Sequence, residues 1–305
     1  MKEVLIGTWA WGPGMNGTKM VFGNKQDPQA LKESFDEALK LGFLNWDTAA
    51  VYGMGSCEKF LGGLIEGHPE VLISTKFMPS KRYKAGALVK SFGESMSRLG
   101  RDCADLFWIH VPHNLEKNIA EAVPLMKDGR IKSLGVSNVS LVHIKLAQEL
   151  LAKEGLKLGA VQNHFSLIRD DQQPIIDYCN QNGIKYYAYM VLEQGALAGH
   201  YSYENPFPAF SLRSFLFPRK NFKKIESLLA AMREIASKYN IDPSQVPILW
   251  VIAKGANPIV GITKPSHAKK LAAAIDVELT SDEVDMLTKE AAATGIRQQG
   301  SWEPQ

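Results

Sequence analysis

The feature that most constrains the fold of this chain is a regular alternation between short β-like runs and longer amphipathic segments. Eight runs rich in β-branched and aromatic residues occur: VLIGT (4–8), GFLNWD (42–47), VLISTK (71–76), ADLFWIH (104–110), IKSLGVS (131–137), GAVQNH (159–164), IKYYAYM (184–190) and PIVGIT (258–263). Helical patterns separate them, for example over 28–41, 141–151 and 172–181. Strands that alternate with helices pair in parallel through right-handed crossovers.

Residues that start and stop helices fall where this alternation requires them. Asp27-Pro28 and Asp242-Pro243 each predict an N-cap followed by proline at the first helical position. The stretch from Thr280 to Glu283 fits a capping box. Glycine follows several helical segments, where a left-handed C-cap is favoured; these glycines are Gly42, Gly129, Gly183 and Gly255.

Two architectures are compatible with this pattern, a closed barrel and an open doubly wound sheet. The G-x-G-x-x-G fingerprint is absent from the first strand–helix turn, and the strand count favours the barrel. Such barrels commonly reach this length as one domain. We therefore predict an α/β fold, a single (β/α)8 TIM-barrel domain over residues 1–305, with a C-terminal helix and tail at about 281–305.

One strand-to-helix connection, at about 192–220, is unusually long. Its second part, GHYSYENPFPAFSLRSFLFPRK (199–220), is rich in aromatic residues and proline. Long loops in compact domains are usually lids or binding loops, although a plain surface excursion is the alternative.

Composition narrows the class of protein. The formal net charge of +3 is too small to indicate a nucleic-acid or membrane-surface partner. The three cysteines, Cys57, Cys103 and Cys179, predict neither a disulfide framework nor a metal site. The N-terminus resembles no targeting signal, and no run of about 18 apolar residues predicts a membrane span. A cytoplasmic location is expected.

Polar residues stand at the end of strand after strand. In a barrel, chemistry takes place at the carboxyl ends of the strands, so these residues are predicted to share one site. In chain order they are Gly7, Thr8 and Trp9, then Asp47, Lys76, His110, Ser137, Asn138, Gln162 and Tyr189, and finally Gly261 to Lys264.

Four of these positions suggest acid catalysis on a carbonyl. Lys76 is costly in the barrel mouth unless it is paired, and Asp47 on the neighbouring strand is an available partner. A nearby ammonium is expected to lower the pKa of Tyr52, which would then donate a proton to a substrate oxygen that His110 also hydrogen-bonds. This predicts a carbonyl-polarising site with an acid but no nucleophile, which lacks a reductant unless a cofactor supplies hydride.

Each residue alone has an ordinary explanation. Asp47 and Thr48 suit a helix cap or turn, Tyr52 suits a helix start, and His110 suits the rim of a core. Lys76 suits a rim salt bridge, or the Schiff base of a barrel lyase. All four in this order at strand ends favour a common site.

At this point the sequence resembles the aldo-keto reductase superfamily, over about residues 5–275. The matching motifs are GTWAWG (7–12), D-T-A-x-x-Y-G (47–53), S-T-K (74–76), F-W-I-H (107–110), G-V-S-N (135–138), V-Q-N-x-F-S-L (161–167), A-Y-x-x-L-x-Q-G-x-L-x-G (188–199) and P-I-V-G-x-T-K (258–264). The resemblance implies a (β/α)8 barrel that binds NADP(H), uses no metal, and reduces aldehydes and ketones or oxidises alcohols.

Roles follow from the resemblance position by position. Tyr52 resembles the general acid, Lys76 and Asp47 the pair that tunes it, and His110 the residue that orients the carbonyl. Ser137, Asn138 and Gln162 match positions that hydrogen-bond the nicotinamide carboxamide, and Tyr189 matches the aromatic that stacks on its ring. The other expected cofactor contacts are Gly7, Thr8, Trp9, Leu192, Gln194, Gly261, Thr263, Lys264, His267 and Lys270.

The sequence departs from the family pattern at two places. Met190 to Glu193 stand where Ser-Pro-Leu-Gly is common, and Glu193 would put an acid near the pyrophosphate unless it points away. Near the adenosine phosphate, Lys264, His267, Lys269 and Lys270 still form a cationic cluster that suits a 2′-phosphate. A basic, solvated helix start is the alternative, so NADP(H) is favoured and NAD(H) is possible.

The expected partner is a small-molecule carbonyl or alcohol. Aromatic residues near the matched positions are candidates to line its pocket, namely Trp9, Trp11, Tyr52, Phe77 and Trp108, together with His110. For each aromatic residue, plain packing in the core is the alternative. The first loop (13–23) and the long connection are expected to close over it. Resemblance further implies a monomer or weak homo-oligomer. A regulatory or sensing subunit that binds the cofactor with little catalysis is the alternative function.

Overall fold

The computed structural model describes residues 2–15, 17–23 and 26–297. Within them, eight parallel strands close into a barrel in chain order, and the last pairs with the first. The strands are β1 (Leu5–Gly7), β2 (Asn45–Asp47), β3 (Leu72–Phe77), β4 (Leu106–Ile109), β5 (Leu134–Ser137), β6 (Leu158–His164), β7 (Lys185–Tyr189) and β8 (Asn257–Gly261). Each overlaps one of the eight predicted runs, so the predicted (β/α)8 TIM barrel is confirmed.

Helices follow the strands and surround the barrel. They are α1 (Thr18–Phe22), α2 (Pro28–Lys40), α3 (Ser56–Ile65), α4 (Ala87–Leu99), α5 (Leu115–Lys127), α6 (Leu141–Lys153), α7 (Gln173–Gln181), α8 (Leu212–Leu216), α9 (Arg219–Lys224), α10 (Glu226–Tyr239), α11 (Val246–Ala253), α12 (Pro265–Ala274) and α13 (Ser281–Ala293). Short 3-10 turns lie at Trp9–Trp11, Tyr52–Gly55, Glu193–Ala198 and Pro243–Gln245.

The predicted caps form. Asp27 accepts a hydrogen bond from the Gln29 amide at 3.1 Å, and Thr280 and Glu283 make a reciprocal capping box. Asp242 caps the 3-10 turn Pro243–Gln245 instead of an α-helix, and α11 follows directly. The four glycines predicted after helices all have positive φ, at Gly42, Gly129, Gly183 and Gly255.

Alternate residues of the strands separate two apolar layers. Trp108 and Leu106 on β4 point into the barrel, where they pack with Leu5 and Tyr187. The intervening Phe107 joins the much larger layer between the sheet and the helices. This alternation follows from the two-residue period of a strand, and it is why both faces are apolar in a sheet covered by helices.

Trp108 requires a glycine beside it. It pairs with Gly135 on β5, and a Cβ added to Gly135 would lie 2.3 Å from Cε3 of the indole. The ring therefore occupies the space that any larger residue would need, and it fills the barrel beneath the mouth.

The long connection carries its own small core. Tyr201, Phe207, Phe217 and Phe222 pack edge to face, with ring centroids 4.6 to 6.3 Å apart along the series. This segment also reaches the first loop, because a Cβ at Gly23 would lie 3.0 Å from Cβ of Ser211. Residues 16 and 24–25 of the first loop, and 298–305 of the predicted tail, lie outside the described residues.

None of the helices that the structure describes is long and apolar enough to cross a lipid bilayer.

Candidate active site

Four predicted catalytic side chains meet at the carboxyl end of the barrel. Asp47 ends β2, Lys76 lies near the end of β3, and His110 directly follows β4. Tyr52 begins the 3-10 turn that leads into α3. Because parallel strands end at one rim, residues distant in the chain become neighbours there.

Lys76 is the centre of this group. Its side chain is fully buried, and its ammonium group donates to Asp47 Oδ2 and, at 2.8 Å, to the Thr48 carbonyl. It also lies 3.4 Å from the Tyr52 hydroxyl. A buried cation needs a counter-charge, and Asp47 supplies it, as the sequence predicted.

Asp47 is itself held in place by side chains of the barrel interior. Its Oδ1 accepts from the Ser74 hydroxyl at 2.5 Å and from Gln162 Nε2 at 3.4 Å. Trp108 Nε1 donates to the same Ser74 oxygen at 2.8 Å. Sequence reasoning missed this role of Ser74, although it lies two residues before Lys76 and therefore on the same face of β3.

The surroundings of Tyr52 raise its pKa well above the usual value of 10, whereas the sequence predicted a lowered pKa. Burial is the largest cause and the charge of Asp47 is next. The expectation was wrong because burial disfavours the charged phenolate, and the nearby Asp47 carboxylate disfavours it further. Tyr52 therefore keeps its proton at neutral pH, which is the form that a general acid needs.

His110 is neutral. Burial first, and then the charge of Lys76, hold its pKa well below 6.5. Its ring lies edge-on to the Tyr52 ring, with centroids 6.1 Å apart and an interplanar angle of 81°. A neutral imidazole can donate one hydrogen bond without adding charge to the mouth.

The turn after Tyr52 has an unusual backbone. Gly53, Met54 and Gly55 have φ of 55°, 56° and 88° in succession. A Cβ on Gly53 would lie 2.4 Å from the Pro13 carbonyl oxygen, to which Ser56 donates at 2.8 Å. Glycine is thus needed both for the left-handed turn and for the approach of the first loop, which together fix Tyr52 at the rim.

Amide and hydroxyl groups gather on the opposite side of the mouth. Asn138 donates to the His110 carbonyl at 2.8 Å and to the Ser137 hydroxyl at 3.2 Å, and it accepts from the Tyr189 hydroxyl at 2.6 Å. Gln162 lies next to Asp47 as described above. The four predicted nicotinamide contacts are therefore brought together, and they connect to the catalytic group through His110.

Glu193 points away from the mouth. Its carboxylate is 2% exposed and accepts from His164 Nε2 at 2.7 Å and from the Ser166 hydroxyl. The His164 ring in turn stacks on Tyr189, with centroids 5.4 Å apart. The acid that the sequence placed near the pyrophosphate is thus directed into the protein, where it ties the loop after β7 to the end of β6.

That loop carries buried donors that suit an anion. Nε2 of Gln194 and Nε of Arg213 are buried without a hydrogen-bond partner among the described residues. Arg213 is 5% exposed, donates to the Gln194 carbonyl at 3.3 Å and to the Tyr201 hydroxyl at 2.9 Å, and no described carboxylate pairs with it. Buried donors left over in this way fit the phosphates of a dinucleotide. Sequence reasoning missed Arg213, whose only signal was its position among the aromatic residues of the long connection.

The predicted adenosine-phosphate cluster lies at the start of α12. Lys264 occupies the N-cap position, and the Thr263 amide donates to His267 Nδ1 at 3.3 Å. Gly7 and Gly261 pair side by side on β1 and β8, and Thr8 donates to the Asp47 carbonyl. Leu192 packs against the apolar core beside the loop after β7.

The structure brings only some of the predicted pocket aromatics to the mouth. Trp9 stacks on Tyr52 at 5.8 Å and meets Phe22 of the first loop edge-on at 5.7 Å. Trp11 and Phe77 instead pack between sheet and helices, with Trp11 Nε1 donating to the Ile262 carbonyl at 2.7 Å. Phe77 adjoins Lys76 on β3, and neighbouring positions on a strand face opposite sides of the sheet. Trp11 belongs to the 3-10 turn after β1. Trp108, two residues before His110, does point inward, but it lies deeper inside the barrel, where its indole donates to Ser74.

Exposed apolar side chains are concentrated on the segments around the mouth. Met15 and Met20 belong to the first loop, Met54 to the turn after Tyr52, and Phe210 and Phe215 to the long connection. Helix α1 packs against α8, so the two loops form one apolar cover beside the site. No cluster of three or more described His, Cys, Asp or Glu side chains is arranged to hold a metal.

Comparison with known sequences assigns the chain to one family. The model of the aldo/keto reductase family matches residues 3–291. An uncharacterized oxidoreductase of Mycobacterium tuberculosis is 31% identical over 300 residues, covering 96% of this chain and 90% of the relative. The chloroplastic pyridoxal reductase of Arabidopsis thaliana is 32% identical over 298 residues, covering 91% and 80%.

Solved structures share the fold. A glycerol dehydrogenase from Gluconobacter oxydans superposes with a TM-score of 0.83 at 24% identity, covering 98% of this chain and 94% of the other. An aldo/keto reductase from Klebsiella pneumoniae, solved with NADP and acetate, gives a TM-score of 0.72 at 23% identity, covering 99% and 94%.

Proposed function

The chain belongs to the aldo/keto reductase family, and from that premise we propose that it is an NADP(H)-dependent oxidoreductase that reduces aldehydes or ketones to alcohols, or catalyses the reverse. The observation that carries the proposal is the contact of the Tyr52 hydroxyl with the buried Lys76–Asp47 pair, with the neutral His110 ring beside it. A protonated phenol at the end of a buried charge pair can act as a general acid.

Tyr52 is the proposed general acid. A bound reduced nicotinamide would supply the hydride. Tyr52 gives its proton to the carbonyl oxygen as that oxygen becomes an alkoxide, which is a stronger base than a phenolate. Lys76, 3.4 Å from the hydroxyl, then stabilises the phenolate until solvent reprotonates it.

His110 is the proposed orienting group. Its low pKa keeps the imidazole neutral, so it donates to the carbonyl oxygen without competing with Tyr52 as an acid. The Asn138 amide holds the His110 carbonyl at 2.8 Å, and the same residue accepts from Tyr189. Substrate and cofactor sides of the mouth are thereby coupled through one asparagine.

The proposed cofactor site runs from the mouth to α12. Ser137, Asn138 and Gln162 would hold the carboxamide and Tyr189 would stack on the ring, as their positions match the family. Gln194 and Arg213 have the unpaired buried donors that suit the pyrophosphate. The remaining proposed contacts are Gly7, Thr8, Trp9, Asp47, Leu192, Gly261, Thr263, Lys264, His267 and Lys270.

The proposed substrate is a carbonyl compound with an apolar portion. Trp9 stacks on Tyr52 and exposed methionine and phenylalanine side chains surround the mouth, so an apolar group beside the carbonyl would be shielded from water. Pyridoxal belongs in the test panel because the Arabidopsis relative is named for it. Glyceraldehyde and aromatic aldehydes provide polar and apolar references.

The decisive experiment replaces the acid. Tyr52→Phe removes one oxygen and leaves the ring stacked on Trp9, so we expect kcat to fall by at least about 100-fold. Cofactor binding is expected to stay within about twofold, measured by quenching of tryptophan fluorescence. Tyr83→Phe is the matched control. It likewise removes one phenolic hydroxyl with a charged partner, here Glu121 at 2.7 Å, but outside the group formed by Asp47, Tyr52, Lys76 and His110.

Two outcomes would count against the proposal. Full turnover by Tyr52→Phe would remove Tyr52 as the acid. Tight NADPH binding by the wild type without turnover on any carbonyl would favour the regulatory or sensing alternative. That alternative arose from the departure at Met190 to Glu193, and the inward orientation of Glu193 gives it less support.

A further inference from the structure

The cationic cluster at the start of α12 contains an ion pair with an acid from another element. Lys264, His267 and Lys270 are spaced three residues apart, which places them on one side of the helix. Lys270 Nζ lies 2.5 Å from Asp242 Oδ2. Asp242 belongs to the cap of the turn before α11, 28 residues earlier, so its carboxylate enters the cluster only in the folded protein.

Asp242 is fixed in this position. Its Oδ1 accepts from the Ser244 amide at 3.0 Å and from the Ser244 hydroxyl at 2.6 Å. It lines a cavity of about 100 Å³ together with Ala198, Gly199 and His200, which follow the loop that carries Gln194. Asp242 therefore contacts α12 through Lys270 and shares a cavity wall with the residues that end the 3-10 turn carrying Gln194.

The cluster offers less positive charge than the sequence suggests. Burial first, and then Lys264, lower the pKa of His267, so its ring is neutral at pH 7. Lys269 is directed towards Glu37 at 3.9 Å. Of the described cations in the cluster, Lys264 is the one with no carboxylate within ion-pair distance.

We propose that Asp242 is a specificity-determining residue, which weakens the preference for NADPH over NADH by holding Lys270 in an ion pair. The inference rests on the proposed cofactor site. A 2′-phosphate carries a charge of roughly −1.5 to −2 at pH 7, so it must compete with Asp242 for Lys270 and meets repulsion from the carboxylate. A 2′-hydroxyl group can donate to the same carboxylate and leaves the ion pair intact.

The test is Asp242→Asn. Asparagine is an equally good N-cap, so the turn keeps its hydrogen bond from Ser244 while the negative charge is lost. We expect the Kd of NADPH to fall at least about fivefold because Lys270 is released to the phosphate. The Kd of NADH is expected to stay equal or to rise. Both are measured by fluorescence titration, without turnover.

Asp105→Asn is the matched control. Asp105 also pairs with a lysine, Lys132, at 2.8 Å and accepts from a backbone amide, that of Ile73, at 2.8 Å. Its side chain is 22% exposed, the same as that of Asp242. Asp105 precedes β4, at the end of the barrel opposite the proposed cofactor site. Charges so distant are screened by salt. The same charge change should therefore leave the ratio of the two dissociation constants within about twofold of its wild-type value.

A second substitution tests the route through Lys270. Lys270→Gln in the wild-type background is expected to weaken NADPH binding less than it does in the Asp242→Asn background, because in the wild type the ion pair already engages the lysine. In the Asp242→Asn background the same change should remove the whole gain. This cycle also separates release of Lys270 from a general change of surface charge.

Different failures have different meanings. A wild type that binds neither nucleotide would overturn the proposed function and this inference with it. A wild type that binds both, with an unchanged NADPH/NADH ratio in Asp242→Asn, would overturn this inference alone. Equal weakening of both nucleotides would assign Asp242 a purely structural role, and that result would also overturn it.

Discussion

At the scale of single residues, two buried acids of the site region, Asp47 at the mouth and Glu193 behind it, are held by specific partners. Lys76 and Asp47 neutralise each other, and Glu193 accepts two hydrogen bonds from the end of β6. Pairing matters because one partner without the other leaves a buried charge that costs several kcal/mol.

Glu193→Ala should therefore destabilise the protein. The substitution removes the acceptor of His164 Nε2, at 2.7 Å, and of the Ser166 hydroxyl, and we expect a loss of about 2 to 4 kcal/mol in the free energy of unfolding. Urea denaturation followed by circular dichroism measures it. Glu149→Ala, which breaks an exposed pair with Lys153, should change stability by less than about 0.5 kcal/mol. If Glu193→Ala lowered the free energy of unfolding by no more than Glu149→Ala, the hydrogen bonds of Glu193 would contribute nothing measurable to stability.

The sequence predicts which candidate catalytic residues come together better than it predicts the environment of each. Asp47, Lys76 and His110 stand at strand ends, so the two-residue period and the barrel rule are enough to bring them together. Arg213 was missed, and Asp242 was predicted only as a cap, because Gln194 and Lys270, with which they interact, lie far away in the chain. The direction of the Tyr52 pKa was wrong because burial is the largest cause of the shift, and burial depends on packing that no local pattern reveals.

At the scale of elements, the fold was predictable where the signal is local. The capping box at α13 needs only residues within one turn, and it forms as expected. Its acid does more than cap, since Glu283 also accepts from Lys238 at 2.6 Å and from Tyr239 at 2.8 Å on α10. Glu283 thus stabilises the start of α13 and joins α13 to α10. The local sequence predicts only the first of these roles.

This link should give acid-sensitive stability. Burial acts to raise the pKa of Glu283, but the hydrogen bonds from Lys238, Thr280 and Tyr239 more than offset it and lower the pKa from 4.5 to about 2. The ionised form therefore stabilises the fold above pH 4.5, and its contribution disappears as pH falls towards 2. The stability difference between wild type and Glu283→Gln should be constant from pH 7 to 5 and shrink between pH 4.5 and 2. Urea midpoints across this range measure it, and a constant difference down to pH 2 would contradict the assignment.

At the scale of the whole molecule, barrel closure depends on complementary sizes inside the sheet. Trp108 fills the interior only because Gly135 has no side chain. The strand count and alternation predicted the closed barrel, but not this pairing, since the sequence does not reveal which interior residues lie at the same height. Register between strands is a property of the complete sheet.

Gly135→Ala should therefore strain the barrel, because the new methyl group would lie 2.3 Å from the Trp108 ring. We expect a loss of about 2 to 3 kcal/mol from overpacking. Gly93→Ala is the contrasting control: Gly93 lies in α4 with nothing within 4 Å of an added Cβ, so alanine should stabilise by about 0.5 to 1 kcal/mol. Thermal unfolding of both variants tests the pair, and a neutral Gly135→Ala would show that the interior can rearrange.

The pairing of β1 with β8 also imposes an order in time. Ile6 pairs with Val260, which is synthesised much later. At about 5 to 20 residues per second, a ribosome needs roughly 12 to 50 s to make the chain between them. During that interval one edge of the first strand is open, a condition that favours wrong pairing. The four proposed catalytic residues lie between Asp47 and His110, whereas Gln162, Tyr189 and α12 of the proposed cofactor site are synthesised later. The proposed cofactor site is therefore complete only when synthesis is nearly finished, so cofactor binding there cannot guide the early half of the barrel.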